Sequence, residues 1–401
     1  MNKLIYISPF PPSHSYSHKN SALASFSFHL LSNIQHKKIT VLADAGEHPE
    51  VSDQFSPDIT LDRCWKRNHP FVFIQLLLRI RTEKSSQVLV QYEWNVFGSG
   101  LWYLIQFPVF LWALKCMKKR VTVVLHGVLL NFAPLSPTFI GLYLLNGMAQ
   151  LFYKAVSYQS DRVIVLEEKL KSDLVRIGIP SKKVGWIPHG VDTELRSIEK
   201  QYARELLNIP RDCFLFVYFG FIADYKAPDI LLNQFRTLID QEEIYLYFVG
   251  GKRFHKKHDL YYERFMNQLA TCTDRIHFTG YVSKEQIELY LSACDVMVFP
   301  HRTLLSSSGP LSLAYTFEKP ILLSNQLKGY LESPDFQKAL LHTKLNEEYL
   351  FYDFTKNHLK EKIYEVYQNM QKLQDFSLAM KQARAWPRVA KMYEKTLRPG
   401  E

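Results

Sequence analysis

Short apolar runs alternate with amphipathic stretches along the whole chain. The runs fall at residues 4–7, 39–43, 88–91, 121–125 and 162–166 in the first half, and at 214–219, 245–249, 275–278, 296–299 and 321–323 in the second. Their content, rich in Val, Ile, Leu and Phe, suits strands buried on both faces. Between them, helical spacing predicts helices over 22–33, 227–237, 261–271 and 284–293. Strand and helix in alternation predict an α/β protein built from doubly wound parallel sheets. Such sheets bind ligands outside the carboxyl ends of their strands, so the loops that follow strands are where chemistry is expected.

A length of 401 residues suggests two domains. The expected boundary lies near 185–200, where Trp186-Ile187-Pro188-His189-Gly190-Val191-Asp192 ends a strand in turn residues and a polar stretch follows. The last segment, 373–397, reads as one helix with Trp386 in its middle.

The strand at 296–299 leads into Ser306-Ser307-Ser308-Gly309-Pro310, then an apolar helical run over 311–317, then Lys319-Pro320 and a second strand. A Ser/Gly loop opening a helix can hold an anion, because loop hydroxyls and the free N–H groups of the first turn converge where the helix dipole favours negative charge. Pro310 suits the first turn, which needs no N–H. An ordinary capped strand-to-helix turn is the plainer alternative.

Net charge is +10, of which residues 1–185 carry +9. A basic N-terminal half points to an anionic partner or, more plainly, to solubility. No recognition motif supports nucleic acid as that partner. Cys64, Cys116, Cys213, Cys272 and Cys294 have no paired spacing, which argues against zinc and disulfides and fits a reducing cytoplasm. The N-terminus lacks signal-peptide character. Residues 101–114 are strongly apolar and end in Lys118-Lys119-Arg120. They read either as a helix seated on a membrane, its basic flank on anionic lipid, or as a buried helix feeding the next strand. The alternation requires a helix at that place, which favours the second reading.

Taken in order, several motifs resemble the retaining, metal-independent glycosyltransferases of family 4 (group 1 glycosyltransferases). They are Glu93 with Phe97-Gly98, Val123-Val124-Leu125-His126-Gly127-Val128, Ile187 to Asp192, Tyr218-Phe219-Gly220-Phe221-Ile222 with Tyr225-Lys226, Val249-Gly250-Gly251, and Phe278-Thr279-Gly280-Tyr281-Val282. The resemblance implies a GT-B fold, two Rossmann-like domains facing a central cleft. Residues 1–190 would form the acceptor-side domain and 191–375 the nucleotide-sugar domain, with 376–401 a helix crossing back to the first. The implied activity is sugar transfer from a nucleotide-sugar donor to a glycan or lipid-linked glycan acceptor, in polysaccharide or glycoconjugate synthesis. The donor is a co-substrate; no metal or other cofactor is implied. The expected location is the cytoplasm; the basic N-terminal half and the apolar run 101–114, rather than the resemblance, suggest a lipid-linked acceptor and peripheral contact with an anionic membrane on its inner face.

The resemblance also assigns roles. A departing diphosphate needs cations and N–H dipoles. Lys226 would be the catalytic cation, and His126 would hydrogen-bond the transferred sugar. Gly220, Gly250, Ser307, Ser308 and Gly309 would line the phosphates, and Gly280 and Tyr281 the base. Glu93, His18 and Lys19, the last two in a loop that also holds Ser17 and Asn20, would meet the acceptor. His189 would shape the interdomain turn. Some family features are missing. Leu305 and Leu313 stand where many members carry paired glutamates, as in a Ser-Gly loop variant of the family. No arginine follows Gly220; Arg302, Lys252 and Arg253 are the candidates to compensate. Two alternatives keep the fold: a degenerate protein that binds nucleotide sugar without turnover, and a sugar-nucleotide epimerase.

Overall fold

The structure is a computed structural model that describes residues 3–11, 22–35, 38–45, 52–132, 139–238, 243–252, 259–356 and 359–398. The chain divides into two compact units. The first holds residues 1–190, 305–307 and 386–401; the second holds 191–304 and 308–385.

The first unit is built on strands β1 (Leu4–Ile7), β2 (Ile39–Asp44), β3 (Ser52–Ser56), β4 (Ile59–Trp65), β5 (Gln87–Tyr92), β6 (Arg120–Leu125), β7 (Arg162–Val165) and β8 (Val184–Trp186). Their order is β3-β4-β2-β1-β5-β6-β7-β8, parallel except for the β3–β4 pair. Helices α1 (Ala22–Asn33), α2 (Val72–Thr82), α3 (Leu101–Cys116), α4 (Phe139–Gln159) and α5 (Glu168–Arg176) connect them. The central strands are buried along their length, as their largely apolar runs require.

The second unit carries helices α6 (Lys200–Leu206), α7 (Pro228–Arg236), α8 (Leu260–Leu269), α9 (Lys284–Ala293), α10 (Gly309–Thr316), α11 (Pro334–Thr343), α12 (Leu359–Gln368) and α13 (Met370–Ala383). Its strands are β9 (Phe214–Phe219), β10 (Ile244–Val249), β11 (Ile276–Gly280), β12 (Val296–Phe299), β13 (Ile321–Ser324) and β14 (Phe351–Tyr352). They run parallel in the order β11-β10-β9-β12-β13-β14. The order reverses direction between β9 and β12, where a doubly wound sheet opens a crevice for ligand. Lys319 of the Lys-Pro pair is structural: its ammonium donates to the carbonyls of Ser292 and Cys294 at 2.8 and 3.1 Å.

Three sequence readings need correction. The hairpin of β3 and β4 was not expected, because Ser-Asp-Gln-Phe-Ser is too polar to read as a strand and pairs only at the sheet edge. The segment read as one helix over 373–397 is two, α13 and α14 (Trp386–Leu397), with Trp386 beginning the second. The break is fixed by Arg384, whose guanidinium pairs with Asp335 at 2.7 Å and whose carbonyl accepts from Val191 N–H at 2.7 Å. Pro387 then occupies the first turn of α14. The part that joins the first unit is therefore 386–401 rather than 376–401. There Trp386, Val389, Ala390, Tyr393 and Leu397 bury one face of α14, with Trp386 against Phe26 and stacked on His29 of α1. Finally, α3 is only half buried. Phe107, Phe110, Leu111 and Leu114 enter the core, while the opposite face is open.

Candidate active site

In the second unit three glycines end the strands next to the crevice. Gly220 (φ +123), Gly250 (φ +138) and Gly280 (φ +67) all take the left-hand side of backbone space that favours glycine. Gly220 N–H donates to Val249 carbonyl at 2.9 Å, and Gly250 N–H to Gly280 carbonyl at 3.1 Å. A Cβ on Gly250 would stand 2.1 Å from the Gly220 carbonyl oxygen. The three turns are thus pressed together at the carboxyl ends of β9, β10 and β11.

Lys226 is buried, and its ammonium lies over Gly220, 2.6 Å from where a Cβ would be. Pro310, in the first turn of α10, lies 3.4 Å from the same point. A cation and a helix N-terminus therefore converge on one glycine, the arrangement a diphosphate needs. His301, at the end of β12, is also buried. Burial, helped by the Lys226 charge, pushes its pKa down to about 3, so the imidazole is neutral.

Arg302 is engaged by two carboxylates. Its guanidinium pairs with Asp224 and Asp229 at 2.9 and 2.8 Å, and its N–H donates to Tyr225 carbonyl at 2.8 Å. With its charge shared between two carboxylates, it clamps the loop that carries Lys226. Lys252 lies 5.9 Å over the Tyr262 ring. Arg253, Ser17, His18, Lys19 and Asn20 lie outside the described residues.

The serine loop is split. Ser308 caps α10, its hydroxyl accepting from Leu311 N–H at 3.3 Å, and Gly309 starts the helix. Ser307 belongs to the first unit, where its hydroxyl donates to the buried Glu167 at 2.8 Å. Ser306 pairs with Gly127, and Leu305 carbonyl accepts from Val128 N–H at 2.9 Å. Of the expected phosphate set, Gly220, Lys226, Ser308, Gly309 and Gly250 come together in the second unit. The Ser307 hydroxyl is engaged by Glu167 within the first unit. Tyr281 is half exposed beside Gly251 and makes an edge contact with Phe221 at 6.4 Å, leaving an aromatic surface at the end of β11.

In the first unit His126 ends β6. Its Nε2 lies 2.7 Å from Gln91 Oε1, and Phe26 packs edge-on at 4.6 Å. The two side chains share one hydrogen bond, whose direction follows the tautomer of the imidazole. Burial, with His189 nearby, pushes the His126 pKa down to about 3. A neutral imidazole suits a hydrogen bond to a sugar hydroxyl better than charge stabilisation. His189 bonds the Gly190 carbonyl at 2.7 Å and packs on Phe26 and Trp386, a structural place. Glu93 follows β5 and is exposed.

Gln91, Glu167 and His301 were missed in the sequence. Gln91 hides inside an apolar strand; Glu167 and His301 sit just beyond strand ends, which was the one available signal.

The two neutral histidines give a pH dependence. Each charges near 6.5 when unfolded but only near 3 when folded. The unfolded chain binds more protons between those values, so stability falls as pH drops below about 6.5. Urea unfolding at pH 4.5 should be easier than at pH 7 by roughly 2–3 kcal/mol per histidine. His126→Gln and His301→Asn should each flatten that slope; equal midpoints at both pH values would contradict it.

The two Rossmann-like units with parallel sheets match the fold of GT-B glycosyltransferase structures. Residues 38–195 match the family Glycosyltransferase Family 4, and residues 213–369 match Glycosyl transferases group 1. The chain belongs to these glycosyltransferases. It is 27% identical over 148 residues to D-inositol 3-phosphate glycosyltransferase 2 of Catenulispora acidiphila, a match covering 35% of either protein. Sucrose-phosphate synthase from Thermosynechococcus elongatus shares the fold with a TM-score of 0.72 at 15% identity, over 98% of both chains. HepE of Anabaena, solved with UDP-glucose, gives 0.67 at 12% identity over 99% of both. Among the described residues no helix is long and apolar enough to cross a membrane.

Proposed function

We propose that this protein transfers a sugar from a nucleotide-sugar donor to a hydroxyl of a glycan or lipid-linked glycan, with retention and without a metal. The observation that carries the reading is the buried Lys226 ammonium over Gly220, beside the first turn of α10. It sets a fixed cation and helix dipole where a diphosphate gathers charge as the sugar bond breaks. HepE, a protein of the same fold, binds UDP-glucose, which supports a nucleotide-sugar donor. Retention and metal independence rest on the family resemblance. The acceptor is assigned to the first unit, where the neutral His126 is assigned to hydrogen-bond the transferred sugar.

Thermal shift against UDP-, GDP-, ADP- and dTDP-sugars tests the donor. A binding sugar nucleotide at about a hundred times its Kd should stabilise the protein by ~2.7 kcal/mol. Release of free nucleotide with an acceptor panel, in the presence of a chelator, then tests transfer. No shift with any donor would reject the proposal. A shift without nucleotide release would favour a binding protein that has lost turnover. Donor isomerisation without acceptor would favour an epimerase.

A further inference from the structure

We propose that the outer face of α2, α3 and α4 is a membrane-docking surface that lies in the headgroup layer of an anionic lipid bilayer. The strands β4, β5, β6 and β7 are joined in that order through these helices, each step moving the same way across the sheet. Right-handed crossovers then set all three helices on one face. Their inner sides pack through Phe73 on Phe110 at 5.1 Å and Phe107 on Phe152 at 6.4 Å.

The outer sides are apolar. On α3, Leu101, Trp102, Ile105, Val109 and Trp112 are each more than half exposed. On α2 the exposed set is Ile74 and Leu78, with Phe71 just before the helix; on α4 it includes Tyr143, Leu144 and Leu151. Apart from Val175, every exposed large apolar side chain among the described residues of this unit falls on these helices or on Phe71. Between α2 and α3 an apolar groove of about 370 Å³ is lined by Ile74, Leu77, Leu78, Trp112 and Met117, with Arg81 also on its wall. An acyl chain would fit such a groove, with its phosphate toward the arginine.

Charge selects the occupant. No Asp or Glu occurs from Trp94 to Ser160, nor anywhere in α2. The nearby carboxylates are engaged: Glu83 by Lys3, and Asp62 by Arg79 at 3.5 Å. Arg81, Lys115, Lys118 and Arg120 are exposed at the helix ends. A second copy docking here by a two-fold axis would set this basic rim against itself with no carboxylate to offset it. An anionic headgroup layer offers both the apolar depth and the opposite charge. The surface thus extends over three helices, wider than the single run 101–114 that marked it in the sequence, and Lys119 is not part of its rim. Lys119 instead donates to the Glu83 carbonyl at 3.0 Å and to that of Ser85.

The full chain should co-sediment with phosphatidylcholine vesicles that contain phosphatidylglycerol, and much less with phosphatidylcholine alone. The combined variant Trp102→Ser, Ile105→Ser, Val109→Ser and Trp112→Ser should lower partitioning about tenfold or more. These side chains are exposed, so the variant should keep its thermal midpoint. Arg81→Ser, Lys115→Ser and Lys118→Ser together should cost on the order of a hundredfold on anionic vesicles only. As a second measurement, brominated lipid should quench wild-type fluorescence, and Trp102→Phe with Trp112→Phe should remove most of the quenching. Three results would overturn the proposal: no binding to anionic vesicles, binding unchanged in the four-serine variant, or a lipid-free dimer that this variant dissolves. No donor is needed for these measurements, so their outcome is independent of the transferase reading.

Discussion

Lys226→Ala should lower kcat for sugar transfer about a hundred- to a thousandfold, the usual cost of removing one preorganised group from a developing charge. The Lys226 ammonium lies over Gly220, held on a short turn that Arg302 pins through Asp224 and Asp229. Its position is therefore set before any donor arrives, and the loss should fall on kcat more than on KM. Single-turnover release of nucleotide measures it. A structural readout accompanies the kinetic one. Lys226 helps hold the His301 pKa low, so in the variant that pKa should move up toward the usual histidine range. Full turnover by Lys226→Ala would remove the residue from the mechanism.

Gly250→Ala should damage both fold and donor binding. An alanine at φ +138 costs on the order of 1–3 kcal/mol in backbone strain. Its methyl would also meet the Gly220 carbonyl oxygen at 2.1 Å, a backbone atom that cannot rotate away. Forced repacking adds another 1–3 kcal/mol, so roughly 2–6 kcal/mol of stability should be lost. Any relief must shift the turn of Gly220 and with it the seat of Lys226. Chemical unfolding and donor-induced thermal shift should therefore fail together. A variant of wild-type stability that still binds donor would show that the glycine turns are not mechanically joined.

Much of this was readable in the residues, and the reasons differ by element. The central strands announced themselves because both faces are buried, leaving runs such as Phe214–Phe219 without a polar break. The glycine turns were legible because a positive φ favours glycine, and each follows a strand. The edge hairpin of β3 and β4 was not legible, since an edge strand can be polar. The surroundings of Arg302 and Ser307 could not be read from the sequence, for a shared reason. Each looks available in sequence, but its partners, Asp224 and Asp229 for one and Glu167 for the other, are brought to it only by tertiary folding. The break before α14 had a local sign in Pro387, outweighed by helical spacing on both sides.

The return of the chain to its first unit also bears on the order in which the protein can be completed during synthesis. The N-terminal unit needs Leu305 to Ser307 and everything from Trp386 onward. Until those residues leave the ribosome, Phe26 and His29 on α1 have no Trp386 to cover them, and Val128 N–H has no carbonyl. Residues 191–304 and 308–385 can meanwhile assemble around their own sheet. The unit made first is therefore the last to be finished, and a nascent chain halted before residue 386 would carry an open apolar flank of the kind chaperones hold.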